Sequence, residues 1–211
     1  MIPRLIFICT LALLSFAFKG GKEKTYPFDK WRQTQLDSAN TAKDSDVLTD
    51  EEKSVVFLTN LARMNPKLFG ETYAQKFIDS TENKSGYARS LLNDLKRGIP
   101  LCALEVDTIL CSTAADHATL SGKTGRTGHG GKQARIKKAM VIYNAWGENC
   151  SYGFNNGIGI VMQLLIDQGI KDLGHRKNIL NKQFTHIGTA IRPHRKYKWN
   201  CVQDFGGVVS R

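Results

Sequence analysis

The sequence has no internal repeat and no low-complexity segment, and its longest apolar run is too short to cross a membrane. A spanning helix needs about 20 apolar residues, whereas the N-terminal run covers only residues 5–18. Arg4 precedes this run, and Ser15 and Ala17 form a small-x-small cleavage pattern. These features predict a secretory signal peptide over residues 1–17, with an uncleaved membrane anchor as the alternative. We therefore expect a secreted, periplasmic or extracellular protein.

Several short motifs of known chemistry are also missing. There is no C-x-x-C pair, no zinc-knuckle spacing and no H-x-x-x-H pair, and no Ser or Cys lies in a recognisable nucleophile motif. Loss of the leader would leave an even number of cysteines, which permits two disulfides with three connectivities. The alternative is four buried free thiols. These cysteines are Cys102, Cys111, Cys150 and Cys201.

The charge balance favours anionic partners. The chain contains 30 Lys and Arg against 19 Asp and Glu, a formal net charge of +11. A basic turn is expected at residues 192–197. It ends at Tyr197, and Trp199 follows it. We expect no nucleic-acid partner, because no nucleic-acid-binding motif is recognisable and exported proteins rarely meet such polymers. An anionic glycan of the cell envelope or a peripheral membrane contact fits better, while a purely solubilising role is the other interpretation.

The rest of the chain divides into a polar spacer at residues 18–47 and one domain at residues 48–211. The spacer is rich in Lys, Asp, Thr and Ser, and we expect it to be at most partly ordered. Thr49 and Glu52 form a capping box that begins the first domain helix. The apolar run at residues 158–166 predicts a buried helix. The end of the chain changes to period-two patterning, which predicts strands at residues 186–191 and 198–205.

Three polar residues are candidates for chemistry. His129 lies in a glycine-rich loop, Glu148 follows an apolar stretch, and His175 opens a short predicted helix. Two imidazoles and a carboxylate can hold a divalent ion such as Zn²⁺ or act as a general acid–base pair. Their separation in sequence makes spacing alone a weak indicator. His117 fits a hydrogen-bonded core histidine, and His194 a solvated turn residue.

The order of several motifs resembles the CAP superfamily (cysteine-rich secretory proteins, antigen 5 and pathogenesis-related proteins), in its bacterial SCP-like extracellular form. The resemblance covers roughly residues 48–207. The matching motifs are Leu58-Thr59-Asn60-Leu61-Ala62-Arg63 with Asn65-Pro66, Ala114-Ala115-Asp116-His117-Ala118, His129, Gly147-Glu148-Asn149, and Gly174-His175-Arg176-Lys177-Asn178-Ile179-Leu180 followed by Phe184 and Ile187-Gly188.

The resemblance implies an α+β fold: an α-β-α sandwich with a central antiparallel sheet covered by helices on both faces. It also implies a large cleft lined by two histidines and two acidic residues, where several members bind zinc or another divalent cation. By motif the ligands are His129, His175 and Glu148. Asp167 is the candidate for the fourth position, where many members carry a Glu. Three further residues are expected to position these ligands: Asn149, Arg176 and Asn178.

These expectations leave three hypotheses about function. The first is a binding module whose cleft takes a divalent metal and an extended lipid, peptide or glycan. The second is a metal- or His/Glu-dependent extracellular hydrolase of peptidase-like type, with Glu148 as the base. The third is a non-catalytic interaction or scaffold protein of the cell envelope. Binding ranks first because no nucleophile motif is visible and because one fold serves many roles.

Overall fold

The computed structural model describes residues 28–208, so the predicted leader lies outside the described residues. Within this range no helix is both long and apolar enough to cross a membrane. The helices are α1 (Gln33–Ala39), α2 (Asp50–Met64), α3 (Pro66–Phe69), α4 (Gln75–Ser80), α5 (Gly86–Arg97), α6 (Thr108–Thr124), α7 (Lys132–Ala139), α8 (Gly157–Ile166) and α9 (Gly174–Ile179). The strands are β1 (Glu105–Val106), β2 (Ala145–Tyr152), β3 (His186–His194) and β4 (Lys198–Gly207).

The four strands form one sheet in the order β1-β3-β4-β2. The long strands β2, β4 and β3 pair antiparallel, and only the two-residue β1 pairs in parallel, with β3. The predicted antiparallel sheet is therefore confirmed, with a short parallel addition at one edge. The opposite edge is formed by β2, the strand that carries Glu148.

Helices cover both faces of this sheet, as the sandwich prediction requires. Side chains alternate along β4: Val202 packs with Ala114 and Ala118 of α6, whereas Cys201 and Phe205, one and three residues away from it, belong to the larger core with residues of α2 and α8. Because successive strand residues point to opposite faces, α6 covers one face and α2 with α8 covers the other. β2 lies where loops from both helical layers meet.

Local sequence signals account for most helix boundaries. The predicted capping box is present, since the Thr49 side chain accepts from the Glu52 amide and the Glu52 side chain accepts from the Thr49 amide. Asp107 caps α6, since its side chain accepts from the Leu110 amide. The helix α6 continues to Thr124 and ends with Gly125 in the left-handed conformation. Gly122 lies within the helix and permits close packing, because a Cβ there would lie 2.0 Å from the Pro193 carbonyl oxygen.

Part of the expected spacer packs against the domain. Trp31 is buried and its indole nitrogen donates to Thr72 Oγ1 at 3.3 Å. The Thr41 hydroxyl donates to the Leu104 carbonyl at 2.7 Å, and the Asn60 side chain donates to the Ala39 carbonyl. Buried apolar side chains and satisfied backbone groups therefore attach residues 31–42 to α2 and to the chain leading into β1.

Arg63 fastens α2 to the loop that follows α9. Its guanidinium is fully buried and donates to the carbonyl oxygens of Ile179, Asn181 and Phe184, and also to that of Cys102. Burial lowers the Arg63 pKa to about 10. The charge stays in place because the carbonyl dipoles replace its lost hydration. This motif residue therefore has a structural role.

The four cysteines of the described residues are free thiols. Cys111, Cys150 and Cys201 are buried, and Cys102 is exposed. The sequence left two interpretations open, two disulfides or four buried free thiols. The structure favours free thiols, but Cys102 is exposed where the interpretation expected burial. Burial raises the pKa of Cys111 to about 11 and that of Cys201 to about 12, so these thiols are protonated at neutral pH.

Candidate functional site in the cleft beside strand β2

His129 and Glu148 meet at the edge of the sheet. His129 Nδ1 lies 2.7 Å from Glu148 Oε1. Glu148 is buried on the α6 side of β2, whereas the His129 side chain is 41% exposed. A carboxylate can only accept, so His129 donates from Nδ1 and its Nε2 is left as the lone-pair nitrogen of the neutral ring.

The glycine-rich loop that carries His129 is held by buried polar side chains. His117 Nε2 donates to the Gly128 carbonyl at 2.9 Å, and the Gly128 amide donates to Tyr152 Oη at 2.8 Å. Ser121 Oγ and His194 Nε2 both lie within hydrogen-bonding distance of the Arg126 carbonyl. His129 therefore projects from a fixed loop. The hydrogen-bonding role predicted for His117 is confirmed.

The expectation that His194 is a solvated turn residue was wrong. The ring is buried, and its Nδ1 accepts from the amides of Lys196 and Tyr197. It thus connects the β3–β4 turn to the His129 loop. The sequence did not indicate this role, because the basic residues around His194 are typical of a solvent-exposed turn, whereas the histidine side chain itself is buried.

His175 and Asp167 form the second pair. His175 Nδ1 lies 2.7 Å from Asp167 Oδ1, and the backbone amides of His175 and Arg176 donate to Asp167 Oδ2. Asp167 ends α8 in the left-handed conformation, with φ 56°. That conformation is unusual for a residue with a Cβ but is tolerated best by Asn and Asp. The turn lets the short Asp side chain reach the ring.

The residues expected to position the ligands connect the two halves of the site. The Asn149 side chain donates to the His175 carbonyl at 3.1 Å. Asn178 donates to Asn149 Oδ1 and to the Glu148 carbonyl. The buried Arg176 guanidinium donates to carbonyls at the end of α8 and to Asp94. β2, α8 and α9 are thereby linked around His175.

The two histidines face one another across a large cleft. Their ring centroids are 6.5 Å apart. The cleft has a volume of about 1140 Å³ and combines aromatic and aliphatic walls with a few polar groups. Among its lining residues are Phe77, Ser85, His129, Tyr152, Phe154, Gln163, Ile166, Asp167, Ile170, His175 and Tyr197. A concave site of this kind is typical of ligand binding.

Arg135 is a site residue that the sequence reasoning missed. Its Nε and Nη2 donate to Oε2 and Oε1 of Glu148, respectively, and both side chains are buried. Burial by itself raises the Glu148 pKa, but the hydrogen bonds from His129 and Arg135 and the Arg135 charge outweigh it and lower that pKa to about 2. Only the fold brings Arg135 of α7 next to β2, since the basic sequence around it is typical of a solvated helix.

Asp204 lies directly across the sheet from Glu148 in the β2–β4 register. It is fully buried, its Oδ2 accepts from the Thr113 hydroxyl at 2.6 Å, and its Oδ1 has no hydrogen-bond partner among the described residues. Burial raises the Asp204 pKa to about 8, with the Glu148 charge acting in the same direction. Glu148 therefore holds the negative charge of this pair at neutral pH, while Asp204 keeps its proton.

A second cluster lies beneath the cleft. Ligand atoms of His117, Glu148 and Cys150 lie within 4.8 Å of one another, close enough to hold a metal ion. Most of these groups already have other partners, although His117 Nδ1 has none among residues 28–208. His117 Nε2 donates to the Gly128 carbonyl, and both oxygens of Glu148 accept from Arg135. Burial raises the pKa of the Cys150 thiol, whereas cysteine binds metals as the thiolate. This donor set fits a metal poorly while Arg135 is in place.

The histidine pair fits a divalent cation better. Within residues 28–208 neither His129 nor His175 uses Nε2 in a hydrogen bond, while each Nδ1 is paired with a carboxylate. Metal-binding histidines commonly show this arrangement, in which the carboxylate fixes the tautomer and raises the basicity of the ligand nitrogen. This arrangement leaves the two Nε2 atoms as candidate donors, and it pairs Glu148 and Asp167, predicted above as ligands, with the imidazole rings.

An α-β-α sandwich with two carboxylate-oriented histidines at one sheet edge defines the class of protein. The sequence profile of the cysteine-rich secretory protein family (CAP) matches residues 89–205, more than half of the chain. The chain belongs to this family, as the resemblance of its motifs indicated. No curated protein matches the chain.

Solved structures similar to the chain come from bacteria and a parasite. An extracellular protein containing an SCP domain from Bacillus anthracis shows 23% identity over 57% of this chain, with a TM-score of 0.42. An outer surface protein from Borrelia burgdorferi shows 20% identity, covers 64% of this chain and 93% of its own, and has a TM-score of 0.43. Venom allergen-like protein 4 from Schistosoma mansoni shows 12% identity, covers 77% and 92%, and has a TM-score of 0.49. The chain spans only 38% of the Bacillus protein.

Proposed function

We propose that the protein is an exported binding module whose cleft holds a divalent cation, such as Zn²⁺, through His129 and His175, with an extended ligand lying beside the cation. The observation that carries the proposal is the pair of imidazoles, each with Nδ1 bound to a carboxylate and with Nε2 unused by any of residues 28–208. Both rings line the same cleft. Export is proposed from the leader pattern at residues 1–17.

A cation at this position would supply positive charge and open coordination positions toward the cleft. A carboxylate, phosphate or hydroxyl group of the ligand could occupy them. The protein's own contribution is orientation: Glu148 is held by Arg135, and Asp167 is held by two backbone amides. Neither histidine needs to reorganise when a cation arrives, which favours affinity.

The cleft suits a large and partly apolar ligand. Its volume of about 1140 Å³ exceeds that of common small-molecule sites. Phe77, Phe154 and Ile170 offer apolar contact, while Gln163 and the histidines offer polar contact. A lipid, a peptide and an anionic glycan all meet this description. Labelled probes of the three classes (a long-chain fatty acid, an unstructured decapeptide and a peptidoglycan fragment) would separate them.

Hydrolysis by way of Glu148 receives less support. A general base works best when its pKa lies near the working pH, whereas the Glu148 pKa is lowered to about 2. Both of its oxygens also accept from Arg135. Glu148 is thus suited to orienting His129 and poorly suited to removing a proton from water.

The cation is tested by calorimetric titration of Zn²⁺ into the protein and into a His129→Ala/His175→Ala variant at neutral pH. We expect saturable binding to one site in the parent and its loss in the double variant. His186→Ala is the matched control, because it removes a histidine that packs against Tyr143 outside the cleft. Circular dichroism of all three proteins checks that they are folded.

Equal Zn²⁺ affinity in the parent and the double variant would refute the assignment of the ligands. No binding by the parent would leave a metal-free cleft, and the three labelled probes would then be tested without metal. If the parent bound neither metal nor any probe, the interaction or scaffold role would replace the proposal.

A further inference from the structure

The segment between α6 and β2 is strongly basic. From residue 117 to residue 147 the chain contains no Asp or Glu. The acidic residues on either side of this stretch already form ion pairs. Glu148 is paired with Arg135, and Asp116 lies 3.6 Å from Lys138 Nζ. The basic residues of the segment are Lys123, Arg126, Lys132, Arg135, Lys137 and Lys138.

An exposed apolar turn follows the lysines of α7. Met140 is 44% exposed, Val141 82% and Ile142 50%. Three consecutive exposed apolar residues are unfavourable in a soluble domain unless they bind something. We refer to Lys132, Lys137 and Lys138 together with Met140, Val141 and Ile142 as the basic tip.

The apolar turn is held in place by residues on either side of it. Ala139 and Tyr143 are buried and form a small core with Leu110 of α6. The amides of Ile142 and Tyr143 both donate to the Ala139 carbonyl at 3.1 Å. The turn is thus fixed with its apolar side chains outward. Little conformational entropy would be lost on binding, which favours a docking role.

We propose that the basic tip docks the protein onto an anionic lipid bilayer. Lysines beside solvent-facing apolar side chains match the two components of such a surface, the negatively charged headgroups and the acyl boundary below them. A soluble anionic polymer would satisfy the lysines and leave Val141 and Ile142 in water. A second copy of this chain would bring the lysines of two tips together. The bilayer accommodates both features at once.

The test is co-sedimentation of the full chain, expressed through the export pathway, with phosphatidylcholine vesicles and with vesicles of equal parts phosphatidylcholine and phosphatidylglycerol. We expect binding to the anionic vesicles that weakens with added salt. The Val141→Ser/Ile142→Ser variant should lose roughly tenfold or more in partitioning, since two apolar side chains no longer enter the bilayer. The Lys137→Gln/Lys138→Gln variant should lose about fivefold per lysine.

Ile99→Ser is the matched control, because Ile99 is 72% exposed and lies outside the basic tip. It should bind like the parent. All variants share one N-terminus, so any contribution from that segment cancels. The proposal fails if Val141→Ser/Ile142→Ser binds as tightly as the parent, if Ile99→Ser weakens binding equally, or if pure phosphatidylcholine binds as well. It also fails if sedimentation velocity shows a dimer that dissociates in the Val141→Ser/Ile142→Ser variant while no vesicle binding is seen.

Discussion

Arg135 and Glu148 form a two-point ion pair inside the domain, in which guanidinium Nε and Nη2 each donate to one carboxylate oxygen. Glu148 Oε1 additionally accepts from His129. The ion pair therefore joins α7 to β2 and fixes the imidazole that faces the cleft. A buried charge is tolerated here because its partner and its hydrogen bonds are all in place.

Removing Arg135 should destabilise the fold. Arg135→Met leaves Glu148 buried without its cation, and we expect a loss of about 3–5 kcal/mol in the free energy of unfolding. Urea denaturation at neutral pH measures this loss. Arg135→Met combined with Glu148→Gln should cost less than the sum of the two single changes, because the charges are coupled. Additive costs would contradict the coupling.

Asp204 should make stability depend on pH. Its pKa is raised from 3.8 to about 8, so its stabilising contribution is complete below pH 3.8 and is lost as pH rises toward 8. Asp204→Asn keeps the shape and removes the titration. We expect the free energy of unfolding of Asp204→Asn to rise relative to the parent as the pH goes from 4 to 8. Parallel curves over this range would show that Asp204 does not titrate there.

Asp167 should control cation affinity through His175. Asp167→Asn keeps the left-handed turn, which Asn tolerates, but replaces the carboxylate that accepts from His175 Nδ1. We expect Zn²⁺ affinity to fall by about 10–100-fold, measured by calorimetry, while the melting temperature changes little. Asp172→Asn, a change to a nearby residue of the same loop, serves as the control. Unchanged affinity in Asp167→Asn would mean that the carboxylate does not orient the ligand.

Gly188 should tolerate no side chain, because α6 lies directly on β3 at this position. A Cβ there would lie 2.1 Å from the Cys111 amide nitrogen. We expect Gly188→Ala to lower the free energy of unfolding by about 1–3 kcal/mol or more through overpacking. Gly130→Ala has open space around it and should be nearly neutral. Thermal unfolding of the two variants provides the comparison, and equal melting temperatures would contradict it.

The elements that the sequence determined are those set by local chemistry. Thr49 and Glu52 determine the start of α2, and the apolar run at residues 158–166 determines the buried helix α8. Motif order indicated the family, and it selected His129, Glu148, Asp167 and His175, which the structure brings to one sheet edge. A cap, a helical period or a short motif can be read from neighbouring residues alone.

Tertiary structure decided the partners of those residues. The Arg135 ion pair, the burial of His194 and the opposite pKa shifts of Glu148 and Asp204 all depend on strand register and on α7 packing against β2. Only three-dimensional distances show that His129 and His175 each use Nδ1 for a carboxylate, while Nε2 has no partner in the described part of the chain. Hydrogen bonds and desolvation act between groups that are close in space, and sequence separation carries no information about them.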